Sequence, residues 1–436
     1  MASSFYDSLV ALPWRPLLSG KAAAQALSAA RDIAAVTSRG VTHHPDRPVP
    51  DEIALWETTL ASGCAGQCLL HAYLALHGAG NVYADTAMAL LDQATDAAAF
   101  LPMTASLYFG LPGVAWAAVH LAGRLFVEDH DGHLELDRIL LRSLRRARWE
   151  GSYNLIIGLV GLGIYALERL PRPSAVRCLE AVIAQLAGRA EHTPEGALFF
   201  TPAGSFLPPY TAVYPQGTYF LGMAEGVAGV IALLGAACHA GVGVRVARPL
   251  LAATVSWLLA RRCPPDYAYR FPLFHLPGSQ LIATRVGWWA GDLGIAASLL
   301  VAARGADEAA WETEARHVAL AAAARAKSHF TEPGLAIGAA GAGHLFNRLY
   351  QATGETELCT AARRCLRRAL AMREPGLGIA GFRVAPRSEP DGWRDDPGFL
   401  HGATGIGLAL LAAVSHVDPA WDRVLLISSG GRTTSL

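Results

Sequence analysis

The sequence predicts an all-α protein: an α/α toroid of seven inner and seven outer helices, with small loop or β insertions at one end. Three observations carry this expectation. A Gly-x-x-Gly pair recurs seven times along the 436 residues. An apolar helical run follows each pair at once, and more polar helices alternate with these runs. The sequence alone does not show closure, so an open solenoid is the alternative.

Taken in order, residues 1–50 form an N-terminal extension: an alanine-rich amphipathic helix from Ala22 to about Ala35, then the linker VTHHPDRPVP. Paired helices fill 51–430, and 431–436 form a tail. The glycine pairs are Gly63/Gly66, Gly110/Gly113, Gly158/Gly161, Gly226/Gly229, Gly291/Gly294, Gly338/Gly341 and Gly402/Gly405. First glycines are 47, 48, 68, 65, 47 and 64 residues apart. A unit of about 47 residues accommodates two helices and their turns, and the three longer intervals hold insertions of roughly 17–21 residues. Two glycines in a helix's first turn cost about 1 kcal/mol each relative to alanine. Something therefore packs very close to that turn.

Segments such as 134–148 and 307–329 carry charged faces and form the outer layer, while the glycine-bearing helices are apolar nearly all round. The insertions at 190–218, 263–285 and 374–400 are rich in aromatics, Pro and Gly. A short strand pair fits the first, and the other two read as loops. Each precedes a glycine-bearing helix. If those helices share one polarity, the insertions gather on one face and roof the mouth where a substrate would enter.

Lys plus Arg and Asp plus Glu both number 36, so no global field draws in nucleic acid or anionic lipid. The apolar runs at 155–167 and 219–238 are too short or interrupted to span a membrane. With no signal peptide in view and seven scattered cysteines, the expected setting is the cytoplasm, with reduced thiols.

The stretch RVGWWAGDLGIAASLL, 285–300, carries a resemblance. The seven motifs with these insertions resemble the lanthionine synthetase C-like (LanC-like) family over roughly 51–430. That resemblance implies a toroid with zinc at its open end, adding peptide cysteine thiols to dehydroalanine or dehydrobutyrine to form thioether rings. The family's fifth motif runs Arg, a few residues, then Trp-Cys-Tyr-Gly-Asp-x-Gly-Ile. Arg285, Trp288, Gly291, Asp292, Gly294 and Ile295 match it, but Trp289 and Ala290 replace the Cys and Tyr. In the sixth motif, Cys-His-Gly, the Cys and His become Ala336 and Ile337. Asn154 stands where the third motif commonly has Asp, and Glu225 where the fourth has His. His401 lies in the seventh motif, which has no ligand requirement. The expectation is that no metal or other cofactor is bound.

Other candidates follow from residue type. Cys64, Cys68 and His71 fall at i, i+4 and i+7, about 10.5 Å from end to end, which strains a single metal and favours packing. The turn from Glu128 through Asp129 and His130 to His133 reads as a solvated loop. Glu225 is expected either to favour its helix dipole or to act as the acid–base group, and Arg285 to hold a carboxylate, a phosphate or the developing enolate. Asp292 is expected to cap its own helix and to serve the site secondarily, as are Asn154, His275 and His401. Trp288, Trp289, Tyr214 and Phe399 are the expected substrate contacts.

Two functions follow. One is a zinc-independent cyclase relying on effective molarity and the thiol's own nucleophilicity; the other is a non-catalytic subunit. The expected partners are a ribosomally made precursor peptide and a separate dehydratase or kinase/lyase subunit. A carbohydrate-active toroid would need two cavity carboxylates from Glu225, Asp292, Asp395 and Asp396.

Overall fold

In the computed structural model each glycine pair begins a helix. The structure describes residues 13–38, 51–128, 130–146, 149–205, 214–276, 278, 280–326, 330–385 and 392–428. The linker at 41–50, Asp129, residues 206–213 of the first insertion and the tail at 431–436 lie outside them.

The seven glycine-bearing helices are α3 (Cys64–Leu76), α5 (Leu111–Leu121), α7 (Leu159–Glu168), α9 (Val227–His239), α11 (Asp292–Ala306), α13 (Ala339–Thr353) and α15 (Ala403–Ala412). In each the first glycine is the N-cap, with extended backbone and no side-chain cap. A helix start leaves backbone N–H groups to satisfy. Here the preceding loop satisfies them: Leu111 donates to the Thr104 carbonyl at 3.0 Å, Leu159 to Ser152 at 3.1 Å, Gly294 to Gly287 at 3.1 Å and Ala403 to Asp396 at 2.8 Å.

Each of these bonds reaches back seven positions along the chain and seats the loop directly on the first turn. A methyl group on Gly66, Gly113, Gly229, Gly294, Gly341 or Gly405 would lie within 2.5 Å of the carbonyl oxygen six residues earlier. The glycines are there because backbone occupies the space of a side chain.

The chain forms two compact units. The described residues of the first lie in Gly132–Arg325 and 422–428. It contains α7, α9 and α11, with the outer helices α6 (Leu134–Leu144), α8 (Pro173–Arg189), α10 (Val244–Leu259) and α12 (Ala309–Arg325). Strands β1 (Glu191–Thr193) and β2 (Gly196–Leu198) form an antiparallel hairpin within the first insertion. Strand β3 (Tyr219–Phe220) pairs antiparallel with β4 (Phe274–His275), so the first two insertions meet edge to edge. In the same unit Asp137 accepts from Arg169 (2.6 Å to Nη2), Tyr165 (2.8 Å) and Ser174 (2.5 Å). This network ties α6, α7 and α8 together through a buried charge pair whose oxygens are all engaged.

The second unit comprises Pro13–Asp131 and Ala326–Trp421. It holds α3, α5, α13 and α15 with α2 (Asp51–Thr58), α4 (Asn81–Phe100) and α14 (Thr356–Ala371). The N-terminal helix α1 (Gly20–Thr37), which the sequence presents as an extension, packs against α15. Leu17 and Leu18 donate to the Ala413 carbonyl, and Trp14 Nε1 donates to Ala412 at 2.8 Å. The residues before the linker thus supply the outer partner of the last repeat.

All seven cysteines are buried free thiols. Cys64 reaches Gln93 Oε1 at 3.3 Å, Cys68 reaches the Ala65 carbonyl, and His71 faces Thr37 Oγ1 at 3.3 Å. This trio packs helices and assembles no ligand set. Burial pushes the His71 imidazole down to about 4. A histidine held neutral in the fold contributes stability that is complete above its unfolded pKa of about 6.5, lost as pH falls toward 4 and constant below. Denaturant titrations between pH 7 and 4 are expected to show the native protein losing about 3 kcal/mol more than His71→Gln, a slope of 1.36 kcal/mol per unit. Equal pH dependence in both would contradict the assignment.

Candidate active site

In the first unit the loops that cap α7, α9 and α11 are joined by backbone. Leu155 donates to the Ala224 carbonyl at 3.1 Å, and Ala224 donates to the Trp289 carbonyl at 3.0 Å. A methyl on Gly222 would lie 2.7 Å from both the Trp289 oxygen and Ala290 Cα, so the second and third loops are in direct backbone contact. This relay fixes where the residues beside each cap project.

Glu225, immediately before its cap, is half-buried, and Trp289 Nε1 donates to its Oε2 at 3.0 Å. Tyr153 lies close by. Its hydroxyl donates to the Phe199 carbonyl at 3.2 Å and accepts from Thr201 Oγ1 at 3.2 Å. Burial holds the Tyr153 phenol above its ordinary range, and the Glu225 carboxylate adds to that rise. Trp289 therefore holds the carboxylate, while the Tyr153 hydroxyl is bonded to Phe199 and Thr201 of the first insertion.

The other expected site residues divide by location. Asn154 is half-buried and turns inward on its own loop: Oδ1 accepts from Ile157 N at 2.9 Å. Arg285 is exposed, and among the described residues no hydrogen bond or ion pair joins its side chain to Glu225. Its carbonyl is the group packed against Gly291. His275 is half-buried on β4 beside Trp257, and burial, with Arg261, lowers its pKa so that the ring is neutral near pH 7.

Asp292 is completely buried and does not cap its own helix. Oδ1 accepts from Phe271 N at 3.0 Å, and Oδ2 accepts from Arg270 N at 2.9 Å and Arg325 Nη1 at 2.8 Å. It fastens the second insertion and the end of α12 to α11, a bolt whose partners the sequence did not announce. Burial raises its pKa, while those three donors pull it back.

Three expected substrate contacts are core residues. Trp288 is fully buried and donates Nε1 to the Leu425 carbonyl at 2.9 Å. Phe399, in the second unit, is also fully buried, edge-on to Trp421. Tyr214 is buried between Phe220 and Phe274. Their apolar bulk is consumed in packing, so of the four only Trp289 presents surface. Also in the second unit, Ala336 donates to the Leu400 carbonyl at 3.1 Å and Leu400 to Ala61 at 2.9 Å, repeating the relay. His401 is half-buried there before its cap, Ile337 is buried, and Asp396 Oδ1 is taken by Gly398 N at 2.7 Å.

A helix start with glycine as its N-cap, repeated seven times, defines a class of helical-repeat protein, and comparison places the chain within it. The chain belongs to the lanthionine synthetase C-like family, whose model matches residues 54–426. Among solved structures, nisin cyclase superposes with a TM-score of 0.71 at 17% identity, covering 92% of this chain and 96% of that one. That likeness shows the fold, the all-α toroid class expected above. No curated protein sequence matches the chain.

Zinc in proteins takes Cys, His or carboxylate donors. Trp289, Ala336 and Ile337, at the positions where the family motif places its ligands, carry none, and the Trp289 indole is already hydrogen-bonded to Glu225. The residues present do not fit the metal. Among the described residues, no three His, Cys, Asp or Glu side chains gather into a metal-binding group.

The Asp292→Asn substitution tests the reading of that residue as a structural bolt. The amide would turn two donors toward groups that are themselves donors. A loss of about 2–4 kcal/mol in unfolding free energy is expected. Unchanged stability in a denaturant titration would return Asp292 to the list of free acids.

Proposed function

We propose that the protein is a zinc-independent LanC-like cyclase that adds peptide cysteine thiols to dehydroalanine or dehydrobutyrine. The observation that carries this reading is the Trp289–Glu225 hydrogen bond. It puts a held carboxylate at the family's histidine position, beside an indole at the family's cysteine position.

The chemistry needs one proton moved and one bond made. The thiol gives its proton to Glu225, sulfur attacks the β-carbon, and the alkene pair moves toward the carbonyl as an enolate. Glu225 then returns the proton to the α-carbon, so the thioether forms with no other reagent consumed. The substrate is already electrophilic, and at neutral pH a few per cent of a free thiol is thiolate. Holding both ends of a peptide in one mouth supplies effective molarity without a Lewis acid. Trp289 restrains Glu225, and the exposed guanidinium of Arg285 is open to a peptide carboxylate or to the enolate.

That no hydrogen bond or ion pair joins Arg285 to Glu225 among the described residues favours a second reading, a non-catalytic subunit that binds the precursor peptide beside a separate dehydratase or kinase/lyase. Among the described residues, no helix is long and apolar enough to cross a membrane.

Incubation with a dehydrated, cysteine-containing precursor distinguishes the two readings. Faster thiol consumption and a defined ring pattern are expected, with a chelator leaving the rate unchanged and less than about a tenth of an equivalent of zinc per chain, against the one closed site of a zinc protein. Glu225→Gln is expected to lower the rate by about a hundredfold or more and to remove one limb of its pH profile. Equal rates and products with and without protein would establish the non-catalytic subunit.

A further inference from the structure

The groove between α1 and α14 holds charge that the proposed reaction does not use. The chain as a whole balances 36 basic against 36 acidic residues. This face does not. Lys21, Arg367 and Arg373 line it, and among the described residues no acidic side chain does.

The two helices enclose an open groove of about 1020 Å³, with Ser19, Lys21, Gln25 and Ser28 on one side and Arg367 and Arg373 on the other. Arg373 is engaged by Asp32 at 2.8 Å. Lys21 and Arg367 are exposed, and among the described residues no carboxylate pairs with either.

From this arrangement we infer that the groove is a docking site for an acidic peptide segment. Unpaired cations along a channel set up a local field that attracts carboxylates. The guanidinium of Arg367 offers the bidentate geometry a carboxylate accepts. Ser19 and Gln25 supply polar groups for a peptide backbone, while the Ser28 hydroxyl is held by Asp32 at 3.2 Å. The span from Ser19 to Ser28 is about 14 Å, enough for about four extended residues. Among the described residues no aromatic side chain lines the groove, so they offer no stacking platform for a single-stranded nucleic acid. The inference does not depend on cyclisation: a protein without cyclase activity would bind the segment equally well.

Fluorescence anisotropy with the full chain at low ionic strength tests it, using a labelled octapeptide of alternating Glu and Ser and its Gln–Ser counterpart. The acidic peptide is expected to bind at least tenfold more tightly than the neutral one. Lys21→Glu combined with Arg367→Glu is expected to weaken it at least tenfold. Arg177→Glu with Arg245→Glu, the same charge change on exposed residues of α8 and α10, is expected to weaken it less than twofold. Thermal melts establish that each variant folds, and Lys21→Gln with Arg367→Gln gives a milder version if the reversal does not. Equal affinity for the two peptides, equal weakening by both pairs of reversals, or tighter binding of an oligothymidine octamer would each overturn the inference.

Discussion

Everything in this structure depends on a helix start capped by its own backbone. An ordinary N-cap uses a Ser, Thr, Asp or Asn side chain to satisfy free N–H groups. Here the carbonyls of the preceding loop do so, which draws the loop flat against the first turn and leaves room only for glycine. The loops, held so tightly, reach one another. Within each unit, the residue two or three positions before one cap donates to the carbonyl of a neighbouring loop. Site geometry follows from that relay. Glu225 meets Trp289 because Ala224 is bonded to Trp289 through the backbone.

Much of this was legible in the sequence, for a physical reason. Glycine in a helix's first turn is costly, so seven recurrences imply seven close approaches, and the period gives the helix pairs. The sequence could not say what makes the approach. It is the same chain six residues earlier, rather than a neighbouring helix. The apolar runs likewise marked the buried helices, but burial of individual aromatics was misjudged. Trp288 and Trp289 are adjacent and chemically identical, yet one is a core residue bonded to Leu425 and the other faces Glu225. Alternation of direction along an irregular loop separates them, and no periodicity reports it.

Charged residues were harder still. Asp292 sits at the centre of its motif, and a carboxylate at a helix start reads naturally as a cap. Its actual partners, Arg270, Phe271 and Arg325, come from an insertion and an outer helix whose spacing from it carries no signal. Arg285 was singled out for its side chain, whereas its backbone carbonyl makes the structural contact. The motif match read the scaffold well because scaffold positions answer to local backbone geometry. The proposed chemistry rests on side chains that local geometry does not constrain.

The docking of α1 on α15 has a consequence for how the chain is built. These two helices lie nearly 400 positions apart, as the bond from Trp14 to Ala412 shows. The apolar face of α1 therefore waits through synthesis of almost the whole repeat array before its partner exists. Closing that contact adds a large sequence separation to a fold otherwise assembled from near neighbours, and such contacts slow folding. Until that contact is made, both α1 and the final repeat offer apolar surface to chaperones and to other nascent chains.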